Sequence, residues 1–243
     1  MNSVLTELYA HQTVTSRHHR IFHLFPAAVG WHKGQALYHW IRRHHPRVTL
    51  ETGFACGAST LFICQGLQDN GSAGRHHAID PFESTQWDYV GLDLVHQAGL
   101  TERLQFYEAS SHRQLPKLLE EGLRVDMAFL DGQKLFDYLL LDCFYVDLML
   151  PLGGVLVFDD PWLASVRKVA RFLIRNRGYR LINYTNYLLR GQPASPWLRT
   201  WMGLLLTLRY GTTLVKPVFR FEGLLYLQKM RADDRPWDWH REF

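Results

Sequence analysis

Cysteine is scarce in this chain of 243 residues, and Cys56, Cys64 and Cys143 form no C-x-x-C pair. That excludes a disulfide framework and a cysteine zinc ribbon. All three fall in runs expected to be buried, as reduced thiols of a cytoplasmic protein do. No Lys/Arg block of five or six occurs: 27 basic and 23 acidic residues are spread along the length, for a formal net charge of +4. No nucleic-acid surface is implied by that pattern. The first residues carry no basic region followed by an apolar core, and no apolar run reaches the ~20 residues of a spanning helix, so neither a signal peptide nor a membrane span is expected. Hydrophobic residues at 47% and charged residues at 21% exclude a disordered or repeat chain. The length suits one α/β domain with embellishments better than two domains.

From residue 48 onward, short β-rich runs alternate with longer helical ones. Strands are expected at Val48–Glu51, His77–Asp80, Leu104–Glu108, Met127–Asp131, Val155–Asp159, Leu181–Leu188 and Gly223–Met230. Helices are expected at Ala58–Leu67, Trp87–Gln97, His112–Glu121, Lys134–Leu150 and Leu163–Asn176. This alternation predicts a doubly wound α/β fold around a mostly parallel sheet of seven strands, helices on both faces. The single domain divides into a helical cap (1–46), a core (47–190), an insertion (191–217) and a last strand with its tail (218–243). In the cap, Gly30 and Gly34 bracket Trp31-His32-Lys33 before a helix from Gln35 to His44, and His19 and His23 stand one helical turn apart. That histidine pair is either a solvated helix face or a metal site, while His44-His45 reads as a helix end. In the insertion, Trp197, Leu198, Trp201, Leu204, Leu205 and Leu208 recur at helical spacing. The stretch 196–209 is then a lid or homodimer surface, a peripheral membrane helix, or plain core; its two arginines exclude spanning.

The stretch Thr49-Leu-Glu-Thr-Gly-Phe-Ala-Cys-Gly-Ala-Ser-Thr60 runs from a buried strand through two glycines into a helix. Such a loop lies at the carboxyl edge of a sheet, where open α/β folds bind ligands. Gly53 and Gly57 allow dihedrals and close approaches that a Cβ would block. A dinucleotide fingerprint would need glycine where Ala55 stands, and the P-loop lysine is missing. Glu51 before the loop and Asp80 ending the next strand suit a cofactor with ammonium and ribose groups, and S-adenosylmethionine has both.

Acidic residues also end the later strands. Asp131 closes Met127–Asp131 with Lys134 just beyond, and Asp159 and Asp160 close the next strand. Carboxylates converging in a partly buried cleft need a counter-charge, and a hard divalent cation such as Mg²⁺ with oxygen ligands supplies one. The alternative is that Asp159 and Asp160 cap the helix after Pro161, Asp131-Gly132 is a turn and Lys134 is solvated.

At these residues the chain resembles class I S-adenosylmethionine-dependent methyltransferases, in particular the catechol O-methyltransferase type and related bacterial small-molecule and sugar O-methyltransferases. Val29-Gly-Trp-His-Lys-Gly-Gln35 is similar to the segment that precedes the first core helix there. Leu50-Glu-Thr-Gly-Phe-Ala-Cys-Gly-Ala-Ser59 is similar to their first motif. The resemblance implies a Rossmann-like fold with Glu51, Gly53 and Ser59 toward the methionine end of the cofactor and with Val29 and Gly57 also among the cofactor-binding residues. It further implies Asp80 on the ribose, and Ser111 and His112 on adenine. Asp131, Asp159 and Asp160 then fall on the metal ligands, Asp131 also bordering the cofactor, and Lys134 falls on the general base. Asp160 stands where the catechol enzymes carry Asn, making the site more anionic, and Gln133 replaces an aromatic residue that touches catechol.

The implied activity is methyl transfer to a small-molecule hydroxyl, with Trp31, His32, Phe136 and Trp162 as pocket walls. A metal-independent methyltransferase and a non-catalytic partner protein of the same fold are the alternatives. Base-modifying nucleic-acid enzymes usually carry an Asn-Pro-Pro-Tyr-like tetrad where this chain has Asp131-Gly-Gln-Lys134, so no nucleic-acid substrate is expected.

Overall fold

Short runs of branched and aromatic residues form the strands, and the longer runs between them form helices that cover both faces. In the computed structural model, which describes residues 2–71, 73–188, 192–193 and 223–243, the core elements are β3 (Val48–Thr52), α3 (Ala58–Asp69), β4 (Arg75–Ile79), α4 (Val90–Gln97), β5 (Leu104–Tyr107), α5 (Ser111–Glu120), β6 (Met127–Leu130), α6 (Phe136–Met149), β7 (Val155–Phe158), α7 (Ala164–Asn176), β8 (Tyr179–Leu188) and β10 (Gly223–Lys229). Before them come α1 (Ser3–His11), β1 (Thr13–Thr15), β2 (Ile21–His23) and α2 (Trp31–His44). The main sheet has the order β5-β4-β3-β6-β7-β10-β8, extended at its edge by the two-residue β9 (Gln192–Pro193). Strands β5 through β7 are parallel, and β10 runs antiparallel between β7 and β8. All seven strands expected from the sequence are present in this sheet.

Alternation along each strand divides the core in two. Met127, Phe129, Val157, Leu224 and Tyr226 face a layer with α1 to α4. Their neighbours Ala128, Leu130, Leu156, Phe158, Leu225 and Leu227 face α5 to α7. Side chains two residues apart on a strand share a face, so a one-residue slip would exchange the two cores. Helix α2 packs on α3 at Gly34, where a Cβ would stand 2.1 Å from the buried Phe62 ring. Behind the sheet, Asp147 is fully buried with Arg177, Tyr179 and Lys229 around its carboxylate. This ties α6, the end of α7, β8 and β10 into one block.

Several expectations need correction. The first 46 residues are not wholly helical, because β1 and β2 pair as an antiparallel hairpin. His19 sits in its turn at φ 62, so it is not one helical turn from His23, and that histidine pair forms no helix face. His18 instead meets Asp88 at 2.5 Å. Helix α2 starts at Trp31 and includes Gly34, its end at His44 being as expected. Helix α4 starts at Val90 rather than Trp87, since Asp88 and Tyr89 take positive φ values of 50 and 64. Helix α6 starts at Phe136 rather than Lys134. The amphipathic stretch 196–209, with Trp197 to Leu208, lies outside the described residues. No helix among the described residues is long and apolar enough to cross a membrane.

Candidate active site

Parallel strands direct their carboxyl ends to one edge, and there β3, β4 and β6 open a cavity of about 430 Å³. Its wall includes Val29, Gly53, Ser59, Asp80, Ser111, His112 and Asp131 from the set implied by the sequence. The size falls within the usual range for small-molecule and cofactor pockets, about 300–1,000 Å³. Gly57 caps α3 at φ 73 and stands against Gly91 rather than on the wall. Ser59 lies in the first turn of α3, which has no acidic residue, and a helix start of this kind favours an anionic group such as a carboxylate. Glu51 is also absent from the wall: its carboxylate is fully buried, accepts the Thr60 hydroxyl proton and lies 3.3 Å from His76 Nε2. It therefore braces the start of α3 against β3 and β4.

Asp80 holds the glycine loop in shape. Its Oδ2 accepts the amide protons of Phe54 and Ala55 at 2.9 and 3.0 Å, and its Oδ1 accepts that of Phe82 at 2.9 Å. One carboxylate thus joins the end of β4 to the loop after β3. Beyond it, Glu83 is fully buried, with Oε1 accepting the Leu92 amide proton at 2.9 Å. Burial pushes its carboxyl up to about 7, with Asp80 and Glu108 adding to the rise. Cys56, on the cavity wall, is pushed up to about 11 by burial, so its thiol is a poor nucleophile at neutral pH.

Beside the cavity, Asp131, Asp159 and Asp160 bring one oxygen each within 4.8 Å of one another. Lys134 Nζ donates to Asp131 Oδ1 at 2.8 Å and to the Leu130 carbonyl at 3.1 Å. A second cation comes from α2: Lys33 Nζ donates to Asp159 Oδ1 at 2.6 Å and to Asp160 Oδ1 at 3.4 Å. Burial holds the Asp131 carboxyl above its ordinary range against the pull of Lys134, and Asp159 and Asp160 push in the same direction as burial. Two ammoniums do not fully balance three carboxylates, and the donors are all hard oxygens, so the set fits Mg²⁺ or a similar divalent cation.

The suggested pocket walls are distributed differently. Trp31 packs edge-on against Tyr9 and Phe62, in the α1–α3 core. Phe136 is partly buried against the α5–α7 core, and His32 is exposed on the first turn of α2. Trp162 donates from Nε1 to Asp160 Oδ1 at 3.2 Å, next to the acidic cluster. None of these four lines the cavity; Phe82, Gln86, Trp87 and Tyr138 do, with Tyr138 meeting His112 edge-on. Sequence reasoning missed these four and Lys33. Lys33 lies inside Val29–Gln35, which already marked the segment, but only the fold shows how far it reaches.

A family model described as a methyltransferase domain matches residues 50–161. Over 139 residues the chain is 28% identical to caffeoyl-CoA O-methyltransferase 2 of Petunia hybrida, covering 55% of this chain and 54% of that one. Caffeoyl-CoA O-methyltransferase 1 of Nicotiana tabacum is also 28% identical over 139 residues, with 55% of each chain covered. The chain thus spans about half the length of the curated relatives it matches. Among solved structures, an O-methyltransferase from Bacillus cereus in complex with SAH superposes with TM-score 0.64 at 14% identity, over 94% of this chain and 92% of that one. The O-methyltransferase TomG from Streptomyces achromogenes, in complex with SAM, gives 0.60 at 19% identity, over 84% and 82%. Glycine loop, sheet order and acidic strand ends agree with these likenesses: residues 50–161 match a methyltransferase domain, and the chain shares the α/β fold of the solved O-methyltransferases.

Proposed function

We propose that this protein transfers a methyl group from S-adenosylmethionine to a hydroxyl oxygen of a small molecule. Lys134 acts as base, and a divalent cation sits at Asp131, Asp159 and Asp160. The observation that carries this reading is that Asp131 belongs both to the cavity wall and to the acidic cluster, and is paired with Lys134 at 2.8 Å. Cofactor pocket and proton acceptor therefore meet at one residue. Gly53, Ser59 and Val29 would receive the methionine end, Asp80 the ribose, and Ser111 and His112 the adenine.

When bound, S-adenosylmethionine supplies a methyl group already activated by its sulfonium, so the protein's part is alignment and removal of one proton. A bound divalent cation supplies Lewis acidity that favours the ionised form of a hydroxyl. Lys134 acts as its neutral amine: having released one proton from its ammonium to solvent, it takes the acceptor's proton on Nζ and becomes an ammonium again. The Leu130 carbonyl and Asp131 fix the direction of that nitrogen through their hydrogen bonds. Aromatic side chains Phe82, Trp87 and Tyr138 on the wall give a bound cofactor apolar surface to pack against. The curated relatives are named for caffeoyl-CoA, and a hydroxyl on an aromatic acceptor is the first class to try.

Lys33 favours a second reading, in which the same transfer runs without metal, because its ammonium already touches Asp159 and Asp160. Assay of hydroxyl acceptors with S-adenosylmethionine, with and without EDTA, separates the two. The metal reading expects EDTA, Lys134→Ala and Asp131→Ala each to slow turnover by roughly 10²-fold or more, with little further loss when two are combined. Full activity of Asp131→Ala in EDTA would leave the metal-free form. Absence of S-adenosylhomocysteine binding by calorimetry would overturn both.

A further inference from the structure

Lys33 is a buried cation at the acidic cluster that no part of the proposed reaction uses. It stands in the first turn of α2, where Gly34 lets the helix lie against the Phe62 ring, and its side chain is only 9% exposed. Asp159 Oδ1 accepts from Lys33 at 2.6 Å and from the Asp160 amide at 2.8 Å. Asp160 Oδ1 accepts from Lys33 at 3.4 Å and from Trp162 Nε1 at 3.2 Å. These hydrogen bonds occupy the two oxygens on the Lys33 side of the cluster, while Lys134 takes Asp131.

We propose that Lys33 is the resident counter-cation of this cluster and competes with a divalent cation for Asp159 and Asp160. The inference rests on the metal reading given under Proposed function. An ammonium held within hydrogen-bond distance of a carboxylate repels a dication that approaches the same oxygen, and buried charges are poorly screened. Lys33 acts through the two carboxylates, as a positioning residue: it keeps them together before metal arrives and weakens the metal's hold afterwards. The protein then takes a divalent cation loosely, and the occupied and metal-free states exchange with the cation concentration around it.

Calorimetric titration of the full chain with MnCl2 tests this. Lys33→Met and Lys33→Gln remove the charge and should bind Mn²⁺ roughly tenfold tighter or more than the unaltered protein, while Lys33→Arg keeps the charge and the weaker affinity. A purely structural role would not sort the variants by charge. Asp131→Ala should abolish Mn²⁺ binding in every background. If no variant binds Mn²⁺ through Asp131, the metal reading fails and this inference with it. If Mn²⁺ binds through Asp131 but Lys33→Met and Lys33→Gln leave the affinity unchanged or weaker, competition alone is overturned. A second measurement needs no altered protein: the Lys33 ¹⁵Nζ resonance should shift as MgCl2 is added. A resonance unmoved at saturating Mg²⁺ overturns the proposal even if the variants fold poorly.

Discussion

Replacing Gly53 by alanine should damage both the fold and the cofactor cavity. Gly53 has φ +89, and a Cβ built on it would stand 2.6 Å from the Asp131 carbonyl oxygen, 2.7 Å from its carbon and 2.8 Å from the Gly132 nitrogen. Nothing in that contact is a flexible side chain. The β6–α6 connection itself has to move, by roughly 1 Å to restore van der Waals distance. Left-handed backbone costs an L-residue about 1–2 kcal/mol, and overpacking adds about 1–3 kcal/mol, so a loss of about 2–5 kcal/mol is expected. Gly71→Ala is the control: at φ +67 it carries similar dihedral strain, with no atom within 4 Å of the new Cβ. Urea unfolding of both variants isolates the contact as their difference, and calorimetry with S-adenosylhomocysteine reads its effect on the cavity. The moving backbone carries Asp131, so Gly53→Ala should also weaken that binding about tenfold or more, which corresponds to about 1.4 kcal/mol. Equal stability losses in the two variants, together with unchanged S-adenosylhomocysteine affinity, would refute the reasoning.

Asp80→Ala should lose about 1–3 kcal/mol of S-adenosylhomocysteine binding by calorimetry and also destabilise the fold, because the Phe54, Ala55 and Phe82 amides lose their acceptor together. Glu83 gives a pH test. Its folded carboxyl, at about 7 against an ordinary 4.5, binds more protons than the unfolded chain between those values, so its contribution is fully present below pH 4.5 and is lost as pH rises through 7. Urea midpoints of Glu83→Gln should lack that decline, worth up to about 3 kcal/mol relative to the unaltered protein; parallel pH profiles would count against it. Asp147→Ala should cost about 3–5 kcal/mol of stability by leaving Arg177 and Lys229 without their buried carboxylate, yet leave S-adenosylhomocysteine binding unchanged, since the network is not part of the cavity wall.

The sheet was legible because its strands are dictated locally. A four-residue run such as Met127–Leu130, buried on both faces and bounded by Asp126 and Asp131, has few alternatives to a central strand. The hairpin β1–β2 was not legible, for the opposite reason. Thr13–Thr15 and Ile21–His23 are three-residue strands, too short for a period to register, and the hairpin is anchored from a distance. Ser16 and His18 both reach Asp88, and Arg17 makes a bidentate pair with Asp93. Asp88 and Tyr89 take left-handed dihedrals at that junction, which also delays α4 beyond the start suggested by its apolar pattern.

Strand ends told most of the site, since a residue that closes a parallel strand has only one edge to occupy. Asp80 and Asp131 reach the cavity on that argument, and Asp159 and Asp160 reach the acidic cluster beside it. The same argument misjudged Glu51, one residue short of the end of β3, because alternation turns its side chain toward α3 and His76. Lys33 shows what a linear reading cannot supply, since its position depends on a glycine–phenylalanine contact between two helices. The contact of Gly53 with the backbone of Asp131 has a similar origin and a larger consequence. It sets the spacing between the loop at the cavity and the Asp131 carboxylate that accepts from Lys134, and the proposed methyl transfer to oxygen would depend on such spacing being fixed to within a fraction of an ångström. Alignment in this fold is thus carried by backbone packed on backbone, which has no rotamers to lose.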